Sequence, residues 1–479
     1  MPPTPPAVPA ASLSREAGMS LTEQLAARFA ERIGQRLMPP GARLPSVREC
    51  ARRHGVSPTT VVAAYDQLLA RGLIEARRQR GFFVREPRPA ARAAVGASTP
   101  PRARPSPVDA TALIRGMFHR PEGAPAAPGL GTLPPHWLDL PLLHGALRRA
   151  LAQGAGTQAL EYGEPAGDAR LRGALSARLA DFGVPANATQ LVTTMGATHA
   201  LDLVSRSVLQ PGDAVLVDEP GWAIEYARLT RLGMRLLPVP RGPQGPDLDA
   251  MRALAQAHRP RLYVTVSVLH NPTGAMLSLA HAHQVLKLAE AHDFAIVEDD
   301  TYAHLAPPHA PRLAALDALQ RTFYVSGFSK ILSPGWRVGF VAAPTRWVER
   351  LIDTKLLGSL TTPSLMERAI ALCLEQGSLR RHAERIGTQL DAARARSVRL
   401  ALEAGCRFAS EPQGLFGWVD VGADTERLAQ TMFDDGWLLA PGSLFHATPR
   451  PTTLMRVNFA TTQEPRFWKA LARARDRMP

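Results

Sequence analysis

Lysine and cysteine are scarce in this sequence. Only four of its 56 basic residues are lysine, and it has three cysteines. An odd, scattered set (Cys50, Cys373, Cys406) excludes a disulfide framework and fits a reducing compartment. No run approaches the ~18 consecutive apolar residues of a membrane-spanning helix. The N-terminus lacks a basic start followed by an apolar stretch, so no secretory leader is expected and the cytoplasm is the expected location. No internal repeat is present. The chain does have length: 479 residues, 45% of them hydrophobic, enough for several cores. It also has a formal charge of +14, of which about ten charges fall before residue 108. A basic terminal module on a nearly balanced body implies a polyanionic partner for that module.

Residues 1–13 are rich in Pro and Ala and are expected to be a disordered tail. An apolar stripe at Leu25, Phe29, Ile33 and Leu37 predicts a helix ending before Pro39. Ser46-Val47-Arg48-Glu49 has the capping-box pattern and starts a helix with Val47, Cys50 and Ala51 inward. Gly55-Val56 supplies a turn. Ser57 then caps another helix, with Pro58 at its first position, where a missing N–H costs nothing. On that helix Val61, Tyr65, Leu68 and Leu69 face inward, and Ser57, Thr59, Thr60 and Ala63 face solvent. Leu73 to Val84 suits a hairpin. Two short helices about a glycine turn form a helix-turn-helix, whose second helix enters the DNA major groove by its N-terminal end. Residues 87–112 carry Pro, Ala, Arg and Ser and read as a flexible linker.

From residue 113 strands and helices alternate. Apolar runs at 190–194, 214–217, 262–268, 294–297 and 323–325, with helices between many of them, predict a mostly parallel α/β sheet covered by helices. Ligands of such sheets sit beyond the carboxyl ends of the strands, and each run here ends in a polar or glycine-containing cluster. Residues 375–479 read as a smaller α+β part closing on the sheet.

Of the four lysines, Lys287 sits in a helical, Leu-flanked stretch, Lys355 follows an Asp-Thr pair and Lys469 lies in the terminal helix, whereas Lys330 closes a strand in Val325-Ser326-Gly327-Phe328-Ser329-Lys330. Around it stand the parts of a pyridoxal 5'-phosphate site. Lys330 is the amine for the aldehyde and Asp299 the carboxylate for the ring nitrogen. Asn271 and Tyr302 suit the ring's phenolic oxygen. Gly196-Ala197-Thr198 opens a helix and suits a phosphate. Trp222 can stack on the ring, Arg337 can add a cation for the phosphate, and Arg456 can clamp a substrate carboxylate. No metal site is expected.

Residues 15–86 resemble GntR-type regulators through Gly41, Leu44-Pro45-Ser46, Gly55-Val56-Ser57, Ala64-Tyr65, Gly72-Leu73-Ile74 and Arg80-Gly81-Phe82-Phe83-Val84. The resemblance implies a winged helix-turn-helix over 14–86, with DNA contacts from Arg43, Ser46, Arg48, Thr59, Thr60 and Arg80. Pro58 and Val62 depart from it, standing where many relatives carry basic residues. Residues 113–479 resemble fold-type I aminotransferases of the kynurenine and 2-aminoadipate branch. The motifs are Asn-Pro-Thr-Gly at 271, Glu-Asp-Asp-Thr-Tyr at 298, Ser-Lys at 329, Gly-Trp-Arg-Val-Gly at 335 and Met-Arg-Val-Asn-Phe at 455. Leu160-Glu161-Tyr162-Gly163 matches a further element, whose tyrosine reaches the neighbouring subunit's cofactor phosphate and so implies a homodimer. Gly327 departs from the family's Ser or Thr, and Ser326 or Ser329 is expected to supply the missing phosphate contact. The two halves together resemble the MocR branch of regulators. That architecture implies a DNA-binding regulator sensing the cofactor or an amino compound. A working aminotransferase with an auxiliary DNA module stays open beside it.

Overall fold

The computed structural model describes residues 19–34, 38, 40–77, 80–85, 127–155 and 160–478. The expected tail, the linker and Leu37 lie outside the described residues.

The N-terminal unit is built from α1 (Leu21–Gly34), α2 (Val47–His54), α3 (Pro58–Ala70) and a hairpin of β1 (Ile74–Arg77) and β2 (Gly81–Val84). Its helix starts follow the Ser46 and Ser57 caps written in the sequence, but the return bond of a capping box, from Ser46 N–H to the Glu49 carboxylate, is not made. Ser46 Oγ accepts from Glu49 N–H (3.3 Å) and Ser57 Oγ from Thr60 N–H (3.1 Å). Gly55 takes the left-handed conformation that ends α2, which suits a residue without a Cβ. Leu25, Phe29, Cys50, Val61, Tyr65, Leu68 and Ile74 form its core. Leu69 and Val47 are only partly buried, while Ala64 takes a fully buried place. The Tyr65 hydroxyl donates to the Pro45 carbonyl (2.9 Å), tying α3 to the chain that enters α2.

The large sheet of the C-terminal part has eight strands. In chain order they are β3 (Leu191–Thr194), β4 (Ala214–Glu219), β5 (Arg235–Gly242), β6 (Gly245–Pro246), β7 (Leu262–Thr265), β8 (Ala295–Asp299), β9 (Thr322–Gly327) and β10 (Gly339–Ala342). In space the order is β3-β10-β9-β8-β7-β4-β5-β6. The run from β9 to β5 is parallel, and β10 is antiparallel to both β3 and β9. Helices on both faces cover strands that are buried almost throughout, as a parallel sheet requires.

Three strands escape the sequence pattern, the shortest being the two-residue β6. β5 carries Pro238 and Pro240, which donate no hydrogen bond; a strand paired along its length only with β4 tolerates them. β10 is four residues long and hidden behind Gly-Trp-Arg-Val-Gly. Two boundaries also shift. β8 runs through Asp299 rather than stopping before it, and β9 ends at Gly327, so Lys330 sits in the turn beyond. The smaller part begins with the long helix Ser378–Glu403 and holds a sheet in the order β11-β12-β14-β13. Its strands are β11 (Arg407–Phe408), β12 (Phe416–Asp420), β13 (Ala440–Pro441) and β14 (Leu454–Asn458).

Candidate functional site

The ends of β3, β8, β9 and β14 and the 269–274 turn bring the predicted residues together. Lys330 is half-buried, and its ammonium makes no hydrogen bond or ion pair to any described residue. Burial pushes its pKa down to about 8. The Arg456 and Arg337 guanidinium groups push the same way, and the Asp299 carboxylate opposes them. Asp299, the last residue of β8, is buried, and its carboxyl is raised to about 6 by that burial. The Thr301 hydroxyl and N–H both donate to its Oδ1 and limit the rise, while the nearby Glu225 adds to it. Tyr302 is buried beside these groups. Burial raises its phenol, against the pull of Arg456 and with the push of Asp299.

Arg456 is held on every side. Its Nη1 donates to Asn271 Oδ1 (2.8 Å) and its Nη2 to the Gly129 carbonyl (2.6 Å). The Phe416 and Phe445 rings lie 4.4 and 5.1 Å from the guanidinium carbon. Burial lowers its pKa to about 10, and the Nε has no partner.

The phosphate-type loop is a close approach of backbones. Gly196 has φ +80° and begins the helix Ala197–Val208 with no side-chain cap, so the first amides of that helix are uncommitted. A Cβ on Gly339 would fall 2.6 Å from the Gly196 carbonyl carbon, so only glycine permits this spacing. Arg337 donates to the Met195 carbonyl (2.8 Å) and lies against Gly196. Thr198 is exposed at the helix start. Gly327 packs here too, its missing Cβ 3.2 Å from the Val338 carbonyl and 3.4 Å from the Ala197 nitrogen. Ser326 is buried and donates to the Asp300 carbonyl (2.8 Å), so its hydroxyl is spent away from this loop. Ser329 remains half-exposed in the turn. Trp222 and Asp299 line one cavity with Glu225 and His270. Tyr162 does not join this group; it stands 81% exposed on a surface with Leu160.

Several residues of this region were not legible in the sequence. Glu298 and Asp300, which flank Asp299, are wholly buried. The Glu298 carboxylate accepts the Leu313 and Ala314 amides (2.7 and 2.8 Å), and Asp300 pairs with Arg312 (2.6 Å) and Tyr324 (2.8 Å). Behind the Trp222 cavity, Asp218 accepts from Tyr263 (2.6 Å), Thr265 (2.7 Å) and Arg241 (3.0 Å) and faces His270 at 3.5 Å. Burial pushes its carboxyl up, but Arg241 and His270 outweigh that and hold it below the usual range. Met195 N–H donates to His199 Nδ1 (3.0 Å), which pins the loop before Gly196. Most of these pairings join different elements, for which a single sequence carries no signal; the Met195–His199 contact is local, four residues apart.

In the N-terminal unit Arg43, Ser46, Arg48, Ser57, Thr59 and Arg80 are exposed and Thr60 is half-exposed. Arg43 pairs by backbone with Phe83, beside the hairpin. The Ser46 and Ser57 hydroxyls are engaged as helix caps, and Ser57 Oγ also meets Thr60 Oγ1 (2.8 Å).

Residues 139–473 match the family model of aminotransferase class I and II, and residues 21–84 match that of bacterial regulatory proteins of the gntR family. The chain belongs to the MocR-type branch of the GntR regulators. It is similar along nearly its whole length to the HTH-type transcriptional regulator YdcR of Escherichia coli, with 29% identity over 92% of this chain and 95% of that one. The HTH-type transcriptional regulator TauR of Rhodobacter capsulatus is 30% identical over 89% of this chain and 90% of its own. The MocR-type chain is also similar to 2-aminoadipate transaminase of Thermus thermophilus, 30% identical over 64% of this chain and 78% of that enzyme. The solved structure of LysN, an α-aminoadipate aminotransferase from the same species, superposes with a TM-score of 0.69 at 25% identity, over 76% of this chain and 94% of LysN. The C-terminal part therefore has the fold of a family that characteristically uses pyridoxal phosphate. Among the described residues no helix is long and apolar enough to cross a membrane.

Proposed function

We propose that this protein is a cytoplasmic transcription regulator: residues 14–86 bind double-stranded DNA and residues 113–479 hold pyridoxal 5'-phosphate, through which an amino compound is sensed. The observation that carries the reading is the Lys330 amine. It is unpartnered and low in pKa, and Asp299, Arg456 and Arg337 are the charges it feels. Pyridoxal phosphate supplies an aldehyde for amines and an electron-withdrawing ring. Lys330 offers a half-neutral amine to that aldehyde near pH 8, and Asp299 holds a proton at the ring nitrogen. Trp222 covers a ring face, while Asn271 and Tyr302 serve the phenolic oxygen. The Ala197 and Thr198 amides, Ser329 and Arg337 take the phosphate; the Gly196 amide is spent on the Thr194 carbonyl (2.9 Å), and the fit needs nothing from Ser326. Arg456, already oriented by Asn271, receives a ligand carboxylate.

A homodimer is part of the proposal. Leu160, Tyr162, Leu357 and Leu360 are 86, 81, 92 and 49% exposed, and Gly163 lies against Thr361 and Ser364, which joins these segments into one apolar face. A second copy covers that face and receives Tyr162 at its own phosphate site.

For DNA, the N-terminal end of α3 with Thr59 and Thr60, together with Arg43, Arg48 and Arg80, forms the contact surface. Selection from random duplexes by the purified protein, with and without pyridoxal phosphate, tests the reading. Enrichment of one sequence, with an affinity that changes on adding an amine ligand, is expected. Binding that ignores sequence and ligand alike refutes it. The intact set of Lys330, Asp299, Asn271 and Arg456 also supports a second reading, a turning-over aminotransferase, which sustained turnover of an amino-acid and keto-acid pair would establish.

A further inference from the structure

The outward face of α3 differs from those of the two helices beside it. Exposed residues on α1 include Glu23 and Glu31, and those on α2 include Arg48, Glu49 and Arg52. On α3, Val61, Ala64, Tyr65 and Leu68 are buried in the core. Thr59, Val62, Ala63 and Asp66 are left one above another on the outside, because residues three and four apart share a helix face. Val62 is 43% exposed. Thr59 and Asp66 are exposed as well, and Ala63 is half-exposed. The Ser57 and Thr60 hydroxyls meet each other at 2.8 Å, and Ser57 Oγ also accepts the Thr60 amide, so both are committed to the helix start. What the first two turns of this face present outward is mainly methyl groups.

The face also lacks something. α3 has no lysine or arginine, and its one charged residue, Asp66, is negative. In the major groove arginine and lysine pair with guanine O6 and N7, asparagine and glutamine with adenine N6 and N7, and apolar groups with the thymine methyl. No residue from 58 to 66 belongs to the first two classes. A guanine edge set against Val62 would lose its water and gain no donor, which is costly. A thymine methyl in the same place would meet another methyl. The exposed Arg43, Arg48, Arg52 and Arg80 all lie outside α3 and supply the charge complementarity to phosphate that holds a duplex against this face.

We infer that α3 reads thymine through its 5-methyl group, with Val62 and the methyl of Thr59 as the reading groups, so that the bases facing α3 are adjacent A·T pairs. The inference rests on the DNA-binding reading above and names the sequence class that the surface selects. Residues 58–64 span about 10 Å of helix, the length of about three base pairs. Thr59 and Val62 are separated by about 4.5 Å along the axis, so they meet neighbouring pairs.

Duplexes selected from random sequence by the full chain, followed by binding measured as fluorescence anisotropy, give the test. The selected core should hold adjacent A·T pairs. Deoxyuridine in place of a thymine removes one methyl and nothing else. At each of two neighbouring positions it should weaken wild-type binding about fourfold, the worth of one buried methyl. Val62→Ala and Thr59→Ser change exposed side chains, so the fold does not depend on them. Each should bind the thymine duplex about fourfold more weakly and erase the uracil penalty at one of the two positions. A merely structural role would weaken both duplexes alike and keep the penalty. Val62→Arg should move the selected base at its position to guanine. A selected core of G·C pairs, or a uracil penalty that is absent or that persists in full in both variants, overturns the inference and leaves the DNA reading standing. Enrichment of no sequence at all refutes that reading and this inference with it.

Discussion

The pKa of Lys330 gives the most exacting test of the site. An ordinary lysine titrates near 10.5, and at about pH 7.5 roughly one in a thousand such amines is neutral. Burial, Arg456 and Arg337 bring Lys330 to about 8, the Asp299 carboxylate opposing them. Roughly a quarter is then neutral at the same pH, a gain of about 240-fold in the form that attacks an aldehyde. The rate at which the protein captures added pyridoxal phosphate, followed by absorbance in a stopped-flow instrument, should therefore rise with pH to a plateau with its midpoint near 8. Replacing Arg456 by Gln removes a repelling cation and should move the midpoint up; Asp299→Asn removes an attracting anion and should move it down. Lys330→Ala should abolish the signal. The linkage to folding has a definite sign. A lysine with a depressed native pKa adds stability that is complete above 10.5 and is lost as pH falls through about 8, so Lys330→Met should flatten that part of the stability profile. A wild-type midpoint near 10.5, or one that ignores both charge changes, refutes the reasoning.

Two further outcomes test the scaffold. Ser57→Ala removes the oxygen that accepts Thr60 N–H at the start of α3, so it should cost about 1 kcal/mol in denaturant unfolding of the N-terminal unit and weaken DNA binding in proportion; equal stability would dismiss the cap. Gly339→Ala sets a methyl 2.6 Å from the Gly196 carbonyl carbon, so it should cost about 1–3 kcal/mol and lower pyridoxal phosphate affinity while leaving DNA affinity intact. Undiminished cofactor binding in that variant would separate the Gly196 loop from the phosphate.

The relation between text and fold differs across the molecule. In the N-terminal unit each helix end is a local event. Ser46, Gly55, Ser57 and Pro58 act within three or four residues of themselves, and the structure repeats them residue for residue. In the large sheet, apolar runs mark the strands that are buried on both faces. They fail for β5, where proline sits at positions a sparsely paired strand tolerates, and for β10, whose four residues are too few for a period. The acidic run at 298–300 is a third case: three neighbouring carboxyls go to three different partners, which residue type and spacing do not specify.

By itself, the sequence determined the two-part plan, the caps of the DNA-type helices and the order of Asn271, Asp299, Lys330 and Arg456 along the chain. These depend on residue type and short spacing. Only the tertiary structure decided what those groups experience. The Lys330 amine is shifted first because packing buries it and then because Arg456, 126 positions away in the chain, is folded close to it; Arg456 is itself held by Asn271, Gly129 and two phenylalanines from distant segments. Desolvation and charge act through space, so they exist only once remote segments have packed together.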